Sequence, residues 1–519
     1  MQQEVLNFCM YKGILLDKEI LDVLGNLRDI EVAKHFIEKI DFQYKQKIIT
    51  KSFFIKNSDK VCDILLSYKG DSRKLIKEFF LSLGLDLSDI EKSKDCATKI
   101  KDSNEQFVSA KVFQNQPKKL EVKDFVNNFR NRYSFLKGIL QQRHELDNLI
   151  SINRISEGSF SIIAMVSDKK TTKNGNIILE LEDLTGKINA LVTKNRPEAF
   201  EKSKEILLDE VIGLKCNGNK EIIFVSSIFF PDAFIQTKKF SKTEEIVAFI
   251  SDIHVGSDKF LKENFEKFIR WLNGEVGNKE QKEEALKIKY LFITGDTVDG
   301  VGVYPGQETQ LLLKDVKEQY RELASLLSKI RSDVNIIMCA GQHDAVRVAE
   351  PQPIITESYA QPLYFLKNLK LVTNPSIVEI GQDTKFKVLM YHGASMHGVI
   401  NSIEKLRIGR GHDSPAEVVK YLLRKRHLAP SHSLVTYTPL DGNDALLIQE
   451  VPDVIATGDL HRPEVSDYNG VTIITSSCWQ SRTPFEEKVG NNPDPCKVPI
   501  LNLKNREIKI IDFSDNENK

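Results

Sequence analysis

The spacing of hydrophobic residues changes twice along the chain. Over residues 1–90, apolar positions recur at helical steps: Ile14, Leu15, Ile20, Leu21, Val23 and Leu24, then Leu75, Ile76, Phe79, Phe80 and Leu83. Gly70 followed by Asp71-Ser72 reads as the close of one helix and the start of another. A helical N-terminal domain is expected, and its plainest role is docking or regulation. From 91 to 122 the stretch EKSKDCATKIKDSNEQFVSAKVFQNQPKKLEV has few branched apolar residues, too few to offset the entropy of ordering it. It predicts a flexible linker, followed by a connecting helix over 123–146.

Between 147 and 240 the period becomes two. FSIIAMVSDKK, NGNIILELEDLTGKINALV, VIGLKCNGN and EIIFVSSIFF read as short strands between Asn-Gly, Thr-Gly and Asn-Gly-Asn turns. One helical stretch, RPEAFEKSKEILL, precedes the last pair. The pattern suggests a small barrel of the oligonucleotide-binding (OB) type, a fold that more often serves only as a protein–protein platform. From 244 to 515, strands (EIVAFIS, IKYLFITGD, VNIIMCAG) alternate with helices (FLKENFEKFIRWLNG, TQLLLKDVKEQYRELASLLSKI), which predicts an α/β region with helices on the sheet faces. The fold class is thus α/β and multi-domain.

Composition narrows the picture a little. The 519 residues carry 73 Lys+Arg and 73 Asp+Glu, a formal net charge of zero. Phosphate contacts normally demand a basic surplus, so any grip on nucleic acid is local or supplied by a partner. Seven dispersed cysteines without a CxxC pair fit a reducing interior. The opening residues lack a basic segment followed by an apolar one, and no run of about 18 apolar residues occurs, so neither a secretory leader nor a membrane span is expected. Cytoplasmic, nucleoid-associated residence is the expectation.

The unusual residues follow the α/β strands, where ligands gather in such sheets. FISDIHVGS places Asp252 and His254 two apart, and FITGDTVDG gives Asp296 and Asp299. MCAGQHDAV gives Gln342, His343 and Asp344, VLMYHGAS gives His392, and VIATGDLHRP gives Asp459 and His461. Taken singly, a DxH is more often a turn and a lone histidine a satisfied core residue. Five strand ends in one region, each bearing Asp, His or an amide, are costly to bury together without a metal.

The ordered set, DxH, GDxxDG, a GNHD-like GQHD, H and a GHxH-like GDLH, resembles the calcineurin-like metallophosphoesterase superfamily from about 244 to 500. The resemblance implies a β-sandwich flanked by helices and two divalent metals, Mn²⁺ first with Mg²⁺ as the alternative. Asp252, His254 and His461 would hold the first metal and Asp296 would bridge. Gln342, His392 and Asp459 would hold the second, with Asp299 behind them. His343 would protonate the leaving oxygen and Asp344 would orient it. Gln342 and Asp459 depart from the pattern, Gln for Asn and Asp for the first His of GHxH; both fall on the second site, which would be weaker, differently selective or empty.

GDTVDGVGVYPGQE, QHDAVRVAEPQP, LLRKRHLAP and EVPDVIATGDLH further resemble the small-subunit family of archaeal family D DNA polymerases. That family implies metal-dependent 3′→5′ exonuclease proofreading inside a two-subunit replicative polymerase. Its partners would be the large catalytic subunit, DNA at single-stranded or mismatched 3′ ends and, through the complex, the sliding clamp. A structural subunit with a degenerate, inactive site is the alternative, motivated by Gln342 and Asp459. A phosphatase or cyclic-nucleotide phosphodiesterase explains the metal motifs but not the barrel or the N-terminal helices. Arg424, Lys425 and Arg426 form a basic cluster that suits either DNA phosphates or a solvated helix end. His397, His412 and His432 match no metal motif, and Arg347 and Glu350 suit a loop-pinning role.

Overall fold

A computed structural model describes the chain except residues 1, 26, 28, 45–46, 57–63, 65–67, 69, 84–108, 112–118, 236, 441–442, 490 and 515–519. It divides into two compact units, Met1–Gln106 and Phe107–Lys519. Most of the expected linker lies outside the described residues.

In the first unit, helices Gln2–Lys12, Lys18–Gly25, Ile30–Tyr44, Lys51–Lys56 and Gly70–Ser82 surround a pair of two-residue parallel strands, Leu15–Leu16 and Ile48–Ile49. Phe36, Ile37 and Ile40 recur at helical steps and bury against Phe54, Phe79 and Phe80. The rings of Phe36 and Phe79 meet edge-on at 4.7 Å. Among the described residues no helix is long and apolar enough to cross a membrane.

The second unit begins with a strand where none is expected. Ser109–Lys111, inside the expected flexible linker, forms a strand pairing antiparallel with Ser376–Ile380. A three-residue edge strand is held by ladder bonds to its neighbour, which apolar spacing does not announce. The connecting helix runs Val122–Leu140 and ends six residues before the expected 146. Tyr133, Leu136 and Leu140, at three- and four-residue steps, pack on Ile163, Met165 and Val211.

Five strands close into a barrel in the order Gly158–Thr171, Ile177–Asp183, Gly186–Val192, Ile222–Phe229, Val211–Gly218. All neighbours are antiparallel except Gly186–Val192 with Ile222–Phe229. Alternate residues (Leu179, Leu181; Ile188, Ala190; Ile212, Leu214) fill its interior, as the period of two requires. The helix Pro197–Lys204 lies between its third and fourth strands in chain order.

Beyond it, two six-stranded sheets stack face to face. In the first, Leu369–Leu371, Asn335–Cys339, Ile288–Thr294 and Ile246–Ile250 run parallel, with Lys497–Asn502 and Ile508–Asp512 added antiparallel. In the second the order is Glu464–Tyr468, Val471–Thr475, Val454–Thr457, Phe386–Met390, Ser376–Ile380, Ser109–Lys111. Val247, Phe249, Phe292 and Ile337 of the first meet Val378, Val388, Met390 and Val454 of the second. Helices Lys262–Leu272 and Val316–Leu327 cover one outer face, and Met396–Ser402 and Pro415–Lys425 cover the other. Burial on both faces explains why Ile246–Ile250 reads as an unbroken apolar run.

The helix expected from Thr309 starts only at Val316. Asp315 caps it by accepting the Lys317 amide at 2.7 Å. The leucines before it are drawn away, because the amides of Leu312 and Leu313 bond to Gly256 O.

Candidate metal centre

Every expected ligand except His254, Gln342 and His461 follows its strand within two residues, and all seven stand beyond the C-terminal ends of five parallel-running strands. Five of them have left-handed backbone: Asp252 (φ 51°), His254 (54°), Asp296 (47°), Asp459 (68°) and His461 (55°). Asp and His tolerate this conformation better than most residues, but it still costs about 1–2 kcal/mol each. Close packing demands glycine between them. A side chain on Gly341 would lie 2.2 Å from Asp296 Oδ1 and 2.8 Å from His392 Nε2.

The turns bring the ligand atoms together. His461 Nε2 lies 3.3 Å from His254 Nε2 and 3.4 Å from Asp252 Oδ1. His392 Nε2 lies 3.2 Å from Asp296 Oδ2, 3.8 Å from Asp459 Oδ1 and 4.0 Å from Asp252 Oδ1. Asp252, His254 and His461 form one compact donor group, and Asp252, Asp296 and His392 a second. Asp252 is common to both groups. Asp296, the bridging carboxylate the resemblance implies, accepts the His343 amide on Oδ1 at 2.8 Å and turns Oδ2 toward His392. A third group, His254, Asp299 and His343, adjoins the first.

Each ring is anchored through Nδ1. His254 donates to Asp299 Oδ1 at 3.1 Å, His461 to Glu486 Oε1 at 2.8 Å, and His392 to Thr294 O at 2.7 Å. That tautomer leaves Nε2 of all three as a lone-pair donor, the usual arrangement behind a metal. Three atoms of the neighbouring side chains are buried without hydrogen-bond partners: Gln342 Oε1, His392 Nε2 and Asp459 Oδ2. Buried donors and acceptors left open cost roughly 1–3 kcal/mol each. A cation would satisfy all three, so the donor set fits a divalent metal.

Charge coupling is strong in this cluster. Burial alone would raise the Asp252 carboxyl, but His461 and His392 outweigh it and hold it below the ordinary range. Asp296 is likewise held well below, burial being outweighed by His392 and His343. Burial would lower His392, yet Asp296 and Asp252 push its imidazole well up.

Asp344 departs from its expected role. Its carboxylate accepts Gly341 N at 2.9 Å, Thr297 N at 3.1 Å, the Thr297 hydroxyl and Tyr320 OH at 3.0 Å. It ties two loops together, while the His343 ring is oriented by Asp299 O, 2.8 Å from Nδ1. Asp299 serves both His254 and His343, and Gln307 and Gln480 hold its carboxylate.

The basic cluster is also corrected. Lys425 and Arg426 are buried at the junction with the barrel and leave no face for phosphates. Lys425 Nζ pairs with Glu210 Oε2 at 2.7 Å, and burial pushes its amine down to about 8. Arg426 donates to Ile448 O and Gln449 O, and Arg424 pairs with Glu205 at 2.7 Å. Glu350 is buried as well, accepting from Tyr391 OH at 3.3 Å, and burial pushes its carboxyl up to about 8.

Sequence reasoning missed Glu486, Gln480 and Tyr391, because a lone Glu, Gln or Tyr far along the chain carries no local signal. It also set His397 aside, whose Nε2 lies 3.4 Å from Asp459 Oδ2. His432 stays outside, exposed and paired with Asp209.

A family model for the B-subunits of DNA polymerases alpha and epsilon matches residues 247–466. The chain is similar to proteins named DNA polymerase II small subunit. In Methanothermobacter thermautotrophicus the identity is 41% over 397 residues, 76% of this chain and 80% of the relative. In Archaeoglobus fulgidus it is 34% over 496 residues, 94% and 99%. In Pyrococcus furiosus it is 36% over 402 residues, covering 76% of this chain and 64% of the longer relative.

Proposed function

The chain belongs to the small-subunit family of archaeal family D DNA polymerases, and on that premise we propose that its strand-end pocket is a metal-dependent 3′→5′ proofreading exonuclease. The observation carrying this reading is the trio of unpartnered buried atoms on Gln342, His392 and Asp459, beside Asp252, His254, Asp296 and His461. Two divalent ions in that pocket, Mn²⁺ or Mg²⁺, would supply Lewis-acid polarisation of the phosphodiester and an ionised water at neutral pH. The protein's own residues do the rest. His254, His392 and His461 are locked in the ligating tautomer by Asp299, Thr294 and Glu486. His343, its Nδ1 fixed on Asp299 O, keeps Nε2 to hand a proton to the departing 3′ oxygen. Water oxygen bonds to phosphorus, the P–O3′ bond breaks, and the products are a nucleoside 5′-monophosphate and a shortened 3′-OH end.

The barrel's strand order, its single parallel pair and the helix between its third and fourth strands favour the OB type. We assign it to 147–240 and the phosphoesterase to 244–515. The large catalytic subunit is the natural partner, supplying the DNA affinity that a chain of zero net charge lacks and the route to the clamp.

The test uses the full chain with Mn²⁺ and single-stranded or 3′-mismatched DNA. Wild type is expected to release mononucleotides from the 3′ end, and His343→Ala to slow release by about 10²–10⁴-fold. Equal rates for the two proteins would remove His343 from the mechanism. One contact favours the second reading, a structural subunit with a decayed site. Gln342 Nε2 donates to Asp459 Oδ1 at 3.0 Å, so two second-metal residues partly satisfy each other. Calorimetric titration with Mn²⁺ separates the readings, because a structural subunit binds none.

A further inference from the structure

Two histidines stand beside the pocket without belonging to any of its motifs. His397 lies on the short helix Met396–Ser402 that follows the His392 loop, and His412 in the turn Gly411–Asp413. His397 Nδ1 is 2.9 Å from His412 Nε2, with ring centroids 4.9 Å apart. The other nitrogen, His397 Nε2, is 3.4 Å from Asp459 Oδ2. That oxygen is one of the three buried atoms without a hydrogen-bond partner. The His397 side chain is 42% exposed and His392 is fully buried, and they are paired with different oxygens of Asp459, Oδ2 and Oδ1.

Asp459 is thus ringed by three side chains: Gln342 Nε2 at 3.0 Å, His397 Nε2 at 3.4 Å and His392 Nε2 at 3.8 Å. A shorter carboxylate at this position supplies oxygen where an imidazole nitrogen is expected. A second nitrogen stands within reach on the adjoining helix.

We propose that His397 is a ligand of the second metal, presented by His412, and that it restores the imidazole nitrogen Asp459 does not provide. The proposal rests on the metal-centre reading above. With its proton on Nδ1, donated to His412 Nε2, His397 keeps Nε2 as a lone pair and its ring plane is fixed. This is the same Nδ1-anchored arrangement seen at His254, His392 and His461. Mixed nitrogen and oxygen donors of this kind suit Mn²⁺.

Calorimetric titration of the full chain with MnCl₂ at neutral pH tests it. Wild type is expected to take up two ions. His397→Ala should leave the tighter one unchanged and weaken the other by about 10–100-fold. His412→Ala should weaken the same ion less, and His412→Gln, which keeps a hydrogen-bonding group, should recover part of the loss. His432→Ala, an exposed histidine paired with Asp209, serves as the neutral control. Circular dichroism melts matching wild type establish that the variants are folded. Two ions at wild-type affinity in His397→Ala overturn the assignment, as does wild type that binds only one. Two ions in wild type without release of nucleotides would remove the exonuclease reading and leave the ligand assignment standing.

Discussion

Around Asp444, beneath the helix Val122–Leu140, and around Asp252, at the strand ends, buried carboxylates and imidazoles are assembled from the same residue types. At Asp444 both carboxylate oxygens are used. Its Oδ2 accepts Arg132 Nε at 2.9 Å, His427 Nε2 at 3.0 Å and Asn128 Nδ2 at 3.3 Å, while Oδ1 accepts Leu446 N. His427 Nδ1 accepts Ala429 N, and Arg132 also donates to Pro430 O. At Asp252 and its neighbours, three buried atoms stay open and two ring nitrogens of His254 and His461 face each other at 3.3 Å. The first cluster is complete as folded and joins helix to sandwich. The second is complete only with something bound. Polar burial alone does not mark a site; several open donor atoms gathered in one pocket do.

Asp444→Ala, which strands the buried Arg132 guanidinium, is expected to have the largest effect. It should cost about 3–5 kcal/mol in denaturant unfolding and leave Mn²⁺ stoichiometry unchanged. A loss below 1 kcal/mol would mean that the cluster does not join the two parts. Next is the open cluster: Mn²⁺ at about 100 times its dissociation constant should add about 2.7 kcal/mol of stability. Asp252→Asn should abolish that gain without lowering metal-free stability. Metal-free destabilisation of this variant beyond 1 kcal/mol would place Asp252 among the structural carboxylates. The smallest effect is in acid. Burial would raise the Asp444 carboxyl, but Arg132 and His427 outweigh it and hold it far below the ordinary range. A depressed folded value stabilises above the unfolded one and is lost as pH falls through the folded one. The advantage of wild type over Asp444→Asn should therefore shrink by about 1 kcal/mol or more below about pH 4, read as a narrowing difference in melting temperature.

Much of the framework was legible because burial leaves a periodic trace. Ile246–Ile250 announces a strand covered on both faces, and Leu179 with Leu181 and Ile188 with Ala190 announce two strands covered on a single face. Asp252, His254, Asp296, His392, Asp459 and His461 were singled out because polar residues at the ends of apolar runs are conspicuous. What lay hidden depends on contacts distant in sequence. Glu486 reaches His461 across 25 positions, and Ser109–Lys111 depends on a partner near residue 378. Lys425 and Arg426 misled for the opposite reason. Adjacent charges at a helix end look solvated, and only Glu210 and the carbonyls of Ile448 and Gln449 explain their burial.

The left-handed turns bear on how such a pocket would age. Asp252, His254, Asp296, Asp459 and His461 each hold a backbone shape that glycine would adopt with less strain. A descendant with no use for the pocket would gain stability at any of these places by shedding its side chain, so drift there runs downhill toward glycine. Five aspartates and histidines standing against that slope mean that disuse would erase the turns' side chains before it disturbed the sheets beneath them.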